Sequence, residues 1–120
     1  MENTDTCVTL CPYFKVHDGK MDEFTSGFES FMQLTGNESK CLFYGFSVNG
    51  DTVHCREGYS DADGVLRHLE NVDAPLKSAL AVSDLVRLEI HGPAAEVDKL
   101  RGPLAGLNPD FFVLQCGFRR

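Results

Sequence analysis

Tryptophan is absent from this 120-residue sequence, basic residues are outnumbered, and long apolar runs are missing. No apolar run approaches the roughly 18 residues that a membrane-spanning helix needs. The first residues, Met1 to Thr6, are polar and acidic, unlike the basic and apolar start of a secretory signal peptide. Eleven Lys and Arg against 18 Asp and Glu give a net charge of −7, which repels nucleic-acid phosphates and anionic lipids. We therefore expect a cytoplasmic protein with no nucleic acid and no membrane among its partners.

Sequence signatures of common cofactor and metal sites are also missing. There is no glycine-rich phosphate loop, no dinucleotide-binding fingerprint and no nucleophile elbow. Neither a His-Glu-x-x-His nor a His-x-His ligand pair occurs. The five cysteines are an odd number without a Cys-x-x-Cys pair, which predicts reduced thiols. We expect no metal and no protein-bound cofactor.

The length and composition are those of one ordinary globular domain, with 42% hydrophobic and 24% charged residues. No repeat or linker interrupts the chain, so residues 1–120 are treated as a single domain. The hydrophobic periodicity predicts strands over 7–16, 41–48, 51–59, 84–91 and 111–118, and helices over about 19–36, 60–71, 76–82 and after Pro93. Pro12 cannot donate a ladder hydrogen bond, which indicates an edge strand or a bulge. This order predicts a ferredoxin-like α+β sandwich, an antiparallel sheet with helices on one face.

Asn49-Gly50 is the favoured pair for a two-residue hairpin turn. Pairing outward from it places Tyr44 opposite Cys55 and Leu42 opposite Glu57. One face of the hairpin is then mainly apolar and is predicted to pack against the helices: Leu42, Tyr44, Phe46, Val48, Val53, Cys55, Glu57 and Tyr59. Glu57 is the one carboxylate on that face.

The opposite face of the sheet is predicted to mix polar side chains with Cys41, Phe43, Leu85 and Phe111. Contiguous exposed apolar groups tend to mark association surfaces, so this face predicts a homodimer. The alternative is an open, partly solvated sheet, which antiparallel sheets tolerate.

Glu57, Tyr59 and His68, with Tyr44 as a neighbour, are the residues that could carry chemistry. His68 is predicted to lie two turns into the helix that follows the Glu57 strand and to fold back over it. A carboxylate and an imidazole that meet in an apolar crevice perturb each other's pKa values, which is common at functional sites. The alternative is a purely structural ion pair. We expect the two side chains to line one cavity, within reach of a direct or water-mediated hydrogen bond.

Three segments resemble the antibiotic-biosynthesis monooxygenase family. Arg56–Glu70 (REGYSDADGVLRHLE) resembles its E-x-[WY]-x-[DS]-x-x-x-[AL]-x-x-H segment, and Gly19–Phe24 (GKMDEF) is similar to the opening of its first helix. Glu38, followed by the strand that begins at Cys41, resembles its link to the second strand. The resemblance covers residues 7–91, and residues 92–120 match less well as a C-terminal helix and strand.

The resemblance implies subunits that pair sheet to sheet as a dimeric α/β barrel, each with a small-molecule cavity between sheet and helices. Characterised relatives include cofactor-independent quinol or anthrone monooxygenases and haem-degrading enzymes. The missing tryptophan, and the absence of histidine from Leu69 to Val82, argue against the haem-degrading type.

Two functions therefore stay open. As a cofactor-independent monooxygenase, the protein would bind a small phenolic or quinol-type molecule, with Glu57 or His68 as the base. Tyr44 or Tyr59 would orient the substrate hydroxyls, and Phe24, Phe28 and Phe46 would form an apolar wall that excludes water. Alternatively, it would bind a small apolar molecule without turnover, or fill the cavity with its own side chains.

Overall fold

The structure, a computed structural model that describes residues 4–120, contains five strands and five α-helices in its described part. The strands are β1 (Val8–Val16), β2 (Cys41–Asn49), β3 (Thr52–Tyr59), β4 (Ser83–Gly92) and β5 (Asp110–Val113). The helices are α1 (Met21–Thr25), α2 (Phe28–Thr35), α3 (Ala62–Asn71), α4 (Asp73–Ala81) and α5 (Ala94–Arg101), with a 3₁₀ turn at Ala105–Leu107. The strands form one sheet in the order β2-β3-β1-β4-β5. The predicted ferredoxin-like α+β fold is confirmed.

Two predicted elements differ from the structure. The helix predicted over 19–36 is divided at Ser26 and Gly27, where the Ser26 hydroxyl donates to the Glu23 carbonyl oxygen at 2.6 Å and glycine disfavours helix. The final strand ends at Val113 instead of residue 118 and pairs parallel to β4, so the sheet is only mostly antiparallel. No helix within residues 4–120 has the length and apolarity to cross a membrane.

The β2–β3 hairpin turns one residue later than predicted. Gly50 and Asp51 form its loop, with Gly50 at φ +61°, and Tyr44 lies opposite Glu57. This shift of two residues in register keeps the side chains of β3 and of Phe43–Val48 on their predicted faces. A bulge between Cys41 and Phe43 then reverses the alternation, so that Leu42, predicted to face the helices, is exposed.

A second irregularity lies where β1 meets β4. Pro12 is in a central strand, and the pairing shifts between Tyr13 and Phe14, so the bulge alternative for Pro12 is the one observed. On one side of this shift, Leu85 of β4 packs with the core, whereas Val86 is 58% exposed. Leu88 and Ile90, on the other side of the shift, are buried.

The helices cover one face of the sheet through two apolar clusters. The first joins α3 and α5 to β1, β3 and β4 through residues that include Val8, Val65, Ile90 and Leu100. The second joins α1, α2 and α4 to the other half of the sheet and is rich in phenylalanine: Phe14, Phe24 and Phe31. Leu85 contacts both clusters, so one continuous core lies under the helices.

The opposite face differs in composition from the prediction. Cys41, Leu85 and Phe111 pack against the core on the helix side, because the two bulges and the register of β5 reverse their orientation. Of the four predicted apolar residues, Phe43 alone stays on the open face. The guanidinium of Arg56 lies over its ring, 5.3 Å from the centroid.

Other aromatic side chains occupy the open face. The rings of Tyr13 and His54 stack at 4.3 Å between centroids, and those of His91 and Phe112 stack at 4.6 Å. Phe112 is 43% exposed. The open face is therefore aromatic, through residues largely different from those predicted.

Candidate functional site

A narrow cavity of about 50 Å³ lies between the sheet and the helices. Its walls are mainly apolar side chains from the strands and from α1, α2 and α4, among them Phe14, Phe24, Phe31, Phe46, Leu76 and Leu88. The polar side chains of its lining are Tyr44, Cys55, Glu57 and His68. The cavity therefore combines a dry, largely hydrocarbon wall with a compact group of ionisable side chains.

Glu57 lies on β3 with 3% of its surface exposed. Burial raises the pKa of its carboxyl group to about 8, because the charged form loses its hydration. The Tyr59 hydroxyl donates a hydrogen bond to Glu57 Oε1 at 2.6 Å, which favours ionisation and opposes part of that rise. Near neutral pH this carboxyl group is therefore held as a neutral acid.

His68 is brought over the sheet by α3. Asp61 caps the N-terminus of this helix, and its Oδ1 accepts a hydrogen bond from the Gly64 backbone N–H at 2.9 Å. Two helical turns later, the His68 ring lies against Tyr44 and Tyr59, with 5.2 Å between centroids in each pair. Its Nε2 is 3.3 Å from Glu57 Oε1. The predicted proximity of Glu57 and His68 is confirmed.

The other ring nitrogen of His68 faces a carboxylate that sequence reasoning missed as a site residue. Glu38, in the loop between α2 and β2, places Oε2 at 2.9 Å from His68 Nδ1. The Asn71 amide donates to the same oxygen at 2.8 Å and to the Leu34 carbonyl oxygen at 2.9 Å, which fixes the loop against α3. Burial lowers the pKa of His68, and the Glu38 carboxylate opposes that change. The one sequence signal for Glu38 was its place in the family resemblance, since 30 residues separate it from His68.

The residues predicted to bind substrate fall into two groups. Tyr44, Phe24 and Phe46 line the cavity. Phe28 does not line it but stacks on Phe46 with 4.4 Å between ring centroids, and Tyr59 contacts Glu57 from outside the lining. Burial raises the pKa of the Tyr44 and Tyr59 phenols far above neutrality, so both stay protonated hydrogen-bond donors.

Leu80 of α4 and Leu107 of the 3₁₀ turn belong to the cavity lining and are also 37% and 39% exposed. They therefore mark the mouth of the cavity. Leu107 precedes Asn108, which has the left-handed backbone conformation (φ 52°, ψ 53°) that ends the turn. The C-terminal segment, which the family resemblance covered poorly, thus supplies part of the cavity wall.

Within residues 4–120 no group of three or more His, Cys, Asp or Glu side chains is arranged to hold a metal ion. Cys55 lies beside Glu57 and Tyr44 in the cavity wall, where burial raises the pKa of its thiol far above neutrality. A neutral thiol is a poor nucleophile. The chemistry that this arrangement offers is therefore proton transfer by Glu57 and His68, with hydrogen bonds from Tyr44 and Tyr59.

Comparison with known proteins finds similarity among solved structures. No protein-family profile and no curated protein sequence matches the chain. MupZ from Pseudomonas fluorescens is 43% identical and superposes with a TM-score of 0.92, over 97% of this chain and 96% of MupZ. A candidate antibiotic biosynthesis monooxygenase from Caulobacter crescentus CB15 is 18% identical, with a TM-score of 0.64 over 73% of this chain and 90% of that one. Another, from Nitrosomonas europaea, is 11% identical, with a TM-score of 0.69 over 78% and 96%.

Proposed function

Because this chain belongs to the family of MupZ and has the fold of the antibiotic biosynthesis monooxygenases, we propose that it is a cofactor-independent monooxygenase acting on a small phenolic or quinol-type molecule. The resemblance inferred from the sequence is confirmed at the level of the fold, and the monooxygenase activity is part of the proposal. The substrate class and the roles of individual residues are the proposal.

The observation that carries the proposal is the buried Glu57–His68 pair at a mainly apolar cavity. A general acid or base works best when its pKa lies near the working pH, and burial brings that of Glu57 to about 8. Exclusion of water also strengthens each hydrogen bond to the reacting atoms. We assign to Glu57 and His68 the transfer of the substrate proton.

The remaining lining fits an aromatic substrate with oxygen substituents. The Tyr44 hydroxyl orients a substrate oxygen near Glu57, while Phe24 and Phe46 contact the ring. Aromatic rings pack well against phenylalanine in offset or edge-to-face arrangements. Tyr59 acts through Glu57, to which it donates its hydrogen bond.

The cavity must widen to admit such a molecule. Pockets that hold small organic ligands enclose about 300 to 1,000 Å³, whereas this one encloses about 50 Å³. Leu80 and Leu107 are the most exposed side chains of the lining, so their displacement is the proposed entry route.

The proposed reaction uses dioxygen as the co-reactant. The Glu57–His68 pair removes a proton from the substrate, and the resulting carbanion transfers electrons to dioxygen as a carbon–oxygen bond forms. The pair returns the proton to the peroxide, and the oxygen–oxygen bond breaks with loss of water. For an anthrone-type methylene, one CH₂ and one O₂ become one C=O and one H₂O, so no external reductant is needed.

The test is oxygen uptake with a panel of hydroquinones and anthrones. We expect wild-type protein to consume one O₂ per substrate and to incorporate one labelled oxygen atom. Glu57→Gln removes the titrating group and should lower kcat by about 100-fold or more, whereas Glu70→Gln, at an exposed position of α3, should match wild type. Equal kcat in wild type and Glu57→Gln would refute the role of Glu57. Turnover without oxygen uptake would refute oxygenation and leave acid–base catalysis as the function of the pair.

Binding of a small apolar molecule without turnover is the second candidate, and the mainly apolar lining of the cavity supports it. In that case calorimetry with the same panel would detect binding, and no compound would be consumed. The Glu57–His68 contact would then be a structural ion pair, and Glu57→Gln would change thermal stability while leaving binding intact.

We also propose that the protein is a homodimer that pairs through the open face of the sheet. This face carries aromatic side chains, including Phe43 and the stacked His91 and Phe112. Light scattering at micromolar concentration should give twice the chain mass. Phe112→Asp should reduce the measured mass to that of a single chain. Phe118→Asp, a change at another exposed phenylalanine, should leave the mass unchanged. A single-chain mass for wild type would refute the proposal.

A further inference from the structure

Three ionisable side chains follow one another from the interior of the molecule towards its surface. Glu57 and His68 are almost completely buried, and the Glu38 side chain is 11% exposed. His68 Nε2 lies 3.3 Å from Glu57 Oε1, and His68 Nδ1 lies 2.9 Å from Glu38 Oε2. The imidazole thus bridges two carboxyl groups that come from different parts of the chain.

From this geometry we propose that Glu38 is a positioning residue that holds neutral His68 with its proton on Nδ1, so that Nε2 exchanges a proton with Glu57. The inference deepens the proposed function and rests on the acid–base role assigned there to the Glu57–His68 pair. Glu38 itself touches neither the cavity nor the substrate in this proposal.

The tautomer follows from which atoms can donate. An ionised carboxylate only accepts hydrogen bonds, so the close contact with Glu38 requires a proton on His68 Nδ1. A neutral imidazole carries one N–H, which leaves an acceptor lone pair on Nε2. Nε2 faces Glu57 Oε1, which already accepts from the Tyr59 hydroxyl. The contact is favourable when Glu57 carries a proton and donates it to Nε2, in agreement with the raised pKa of Glu57.

Glu38 differs in charge from the other titratable groups around the pair. Those that face Glu57 and His68 are Tyr44 and Cys41 of β2, Cys55 and Tyr59 of β3, and Glu38, with Cys11 of β1 also near Glu57. Burial raises the pKa of each of these thiols and phenols, so they are neutral near pH 7. The Glu38 charge raises the pKa of both His68 and Glu57. Among these groups Glu38 is thus the anion whose charge shifts the pKa values of Glu57 and His68.

Two substitutions separate the hydrogen bond from the charge. In Glu38→Gln the amide oxygen still accepts from His68 Nδ1, while the negative charge is lost. In Glu38→Leu both are lost. We expect Glu38→Gln to keep the tautomer and to lower the titration midpoint of Glu57 by about half a pH unit or more. Glu38→Leu should lower the midpoint as well and move the histidine proton to Nε2. Glu70→Gln on α3 is the matched control and should change neither.

The experiment is NMR on the unliganded protein, with ¹⁵N-labelled histidine and ¹³C-labelled glutamate. His68→Gln and Glu57→Gln assign the two resonances. We expect wild type at neutral pH to show a protonated Nδ1 and an unprotonated Nε2 at His68. A proton on Nε2 in wild type, or an unchanged Glu57 midpoint in Glu38→Gln, would overturn the inference.

The measurement is independent of turnover, so the two proposals can fail separately. An intact Nδ1–H tautomer in a protein that consumes no substrate would refute the proposed function alone. An Nε2–H tautomer in an active protein would refute the role of Glu38 alone.

Discussion

Glu57→Gln should change the pH dependence of the free energy of unfolding by an amount that follows from the raised pKa of Glu57. In the folded protein the pKa of Glu57 is raised from 4.5 to about 8, so the native state holds a proton that the unfolded chain has released. Wherever the native state binds more protons, stability falls as the pH rises. The stabilisation is therefore fully present below pH 4.5 and is lost as the pH rises through about 8.

His68 limits the interval in which this effect is visible. Its pKa is lowered from 6.5, so at pH values below 6.5 the unfolded chain binds an extra proton at this histidine. That contribution has the opposite sign and offsets Glu57 until the unfolded histidine is neutral. At pH 6.5 half of the unfolded histidine is neutral, and from there to about pH 8 the Glu57 contribution is the larger of the two. A group protonated only in the native state changes stability by about 1.4 kcal/mol for each pH unit. Because Glu57 is half ionised at its pKa and His68 offsets part of the change, wild type should lose about 1 kcal/mol over this interval.

The assay is urea denaturation followed by far-ultraviolet circular dichroism at pH 6.5, 7.2 and 8, at one fixed protein concentration. Glu57→Gln lacks the titrating proton, so its free energy of unfolding should fall by about 1.5 kcal/mol less than that of wild type. Glu70→Gln should follow wild type, because its carboxylate is exposed. Identical pH dependences of wild type and Glu57→Gln would show that Glu57 is ionised throughout, and the acid–base argument would then fail.

Two further predictions concern the neighbours of Glu57. A Cβ atom on Gly58 would overlap Cε2 of Phe43, so Gly58→Ala should lower the free energy of unfolding in urea denaturation by about 1 to 3 kcal/mol. Gly45→Ala, whose Cβ meets nothing within 4 Å, should cost less than about 0.5 kcal/mol, and equal costs would contradict the close approach. Tyr59→Phe removes the hydrogen bond that favours ionised Glu57, so the carboxyl midpoint in a ¹³C titration should rise above that of wild type. A lower midpoint would contradict this assignment.

Period-two alternation was sufficient to place Glu57 on the helix-facing side of the sheet, and even a two-residue error in the hairpin register left that face unchanged. It failed at Leu42 and Leu85, because a bulge adds one residue to a strand and reverses every side chain beyond it. No residue pattern in the sequence marked either bulge, apart from Pro12 beside the second one.

The candidate site was likewise predicted only in part. Glu57 and His68 are 11 residues apart on a strand and the helix that follows it, so local geometry was enough to predict their contact. Glu38 contacts His68 from the loop that precedes the β2–β3 hairpin in the sequence, and this contact depends on how α2 and α3 pack. The local periodicity of the sequence does not indicate such tertiary contacts. The cavity mouth was missed for the same reason, because Leu107 belongs to a segment distant in sequence from Leu80.

The position of Leu107 separates two properties that enzymes often combine in one segment. Glu57 and His68, the proposed proton-transfer groups, lie on β3 and α3, whereas one side of the cavity mouth comes from the 3₁₀ turn after α5. A substitution at Leu107 can therefore alter which molecules fit without changing the environment of Glu57 or His68. Sequence change in this turn therefore reshapes the cavity mouth independently of the Glu57–His68 pair.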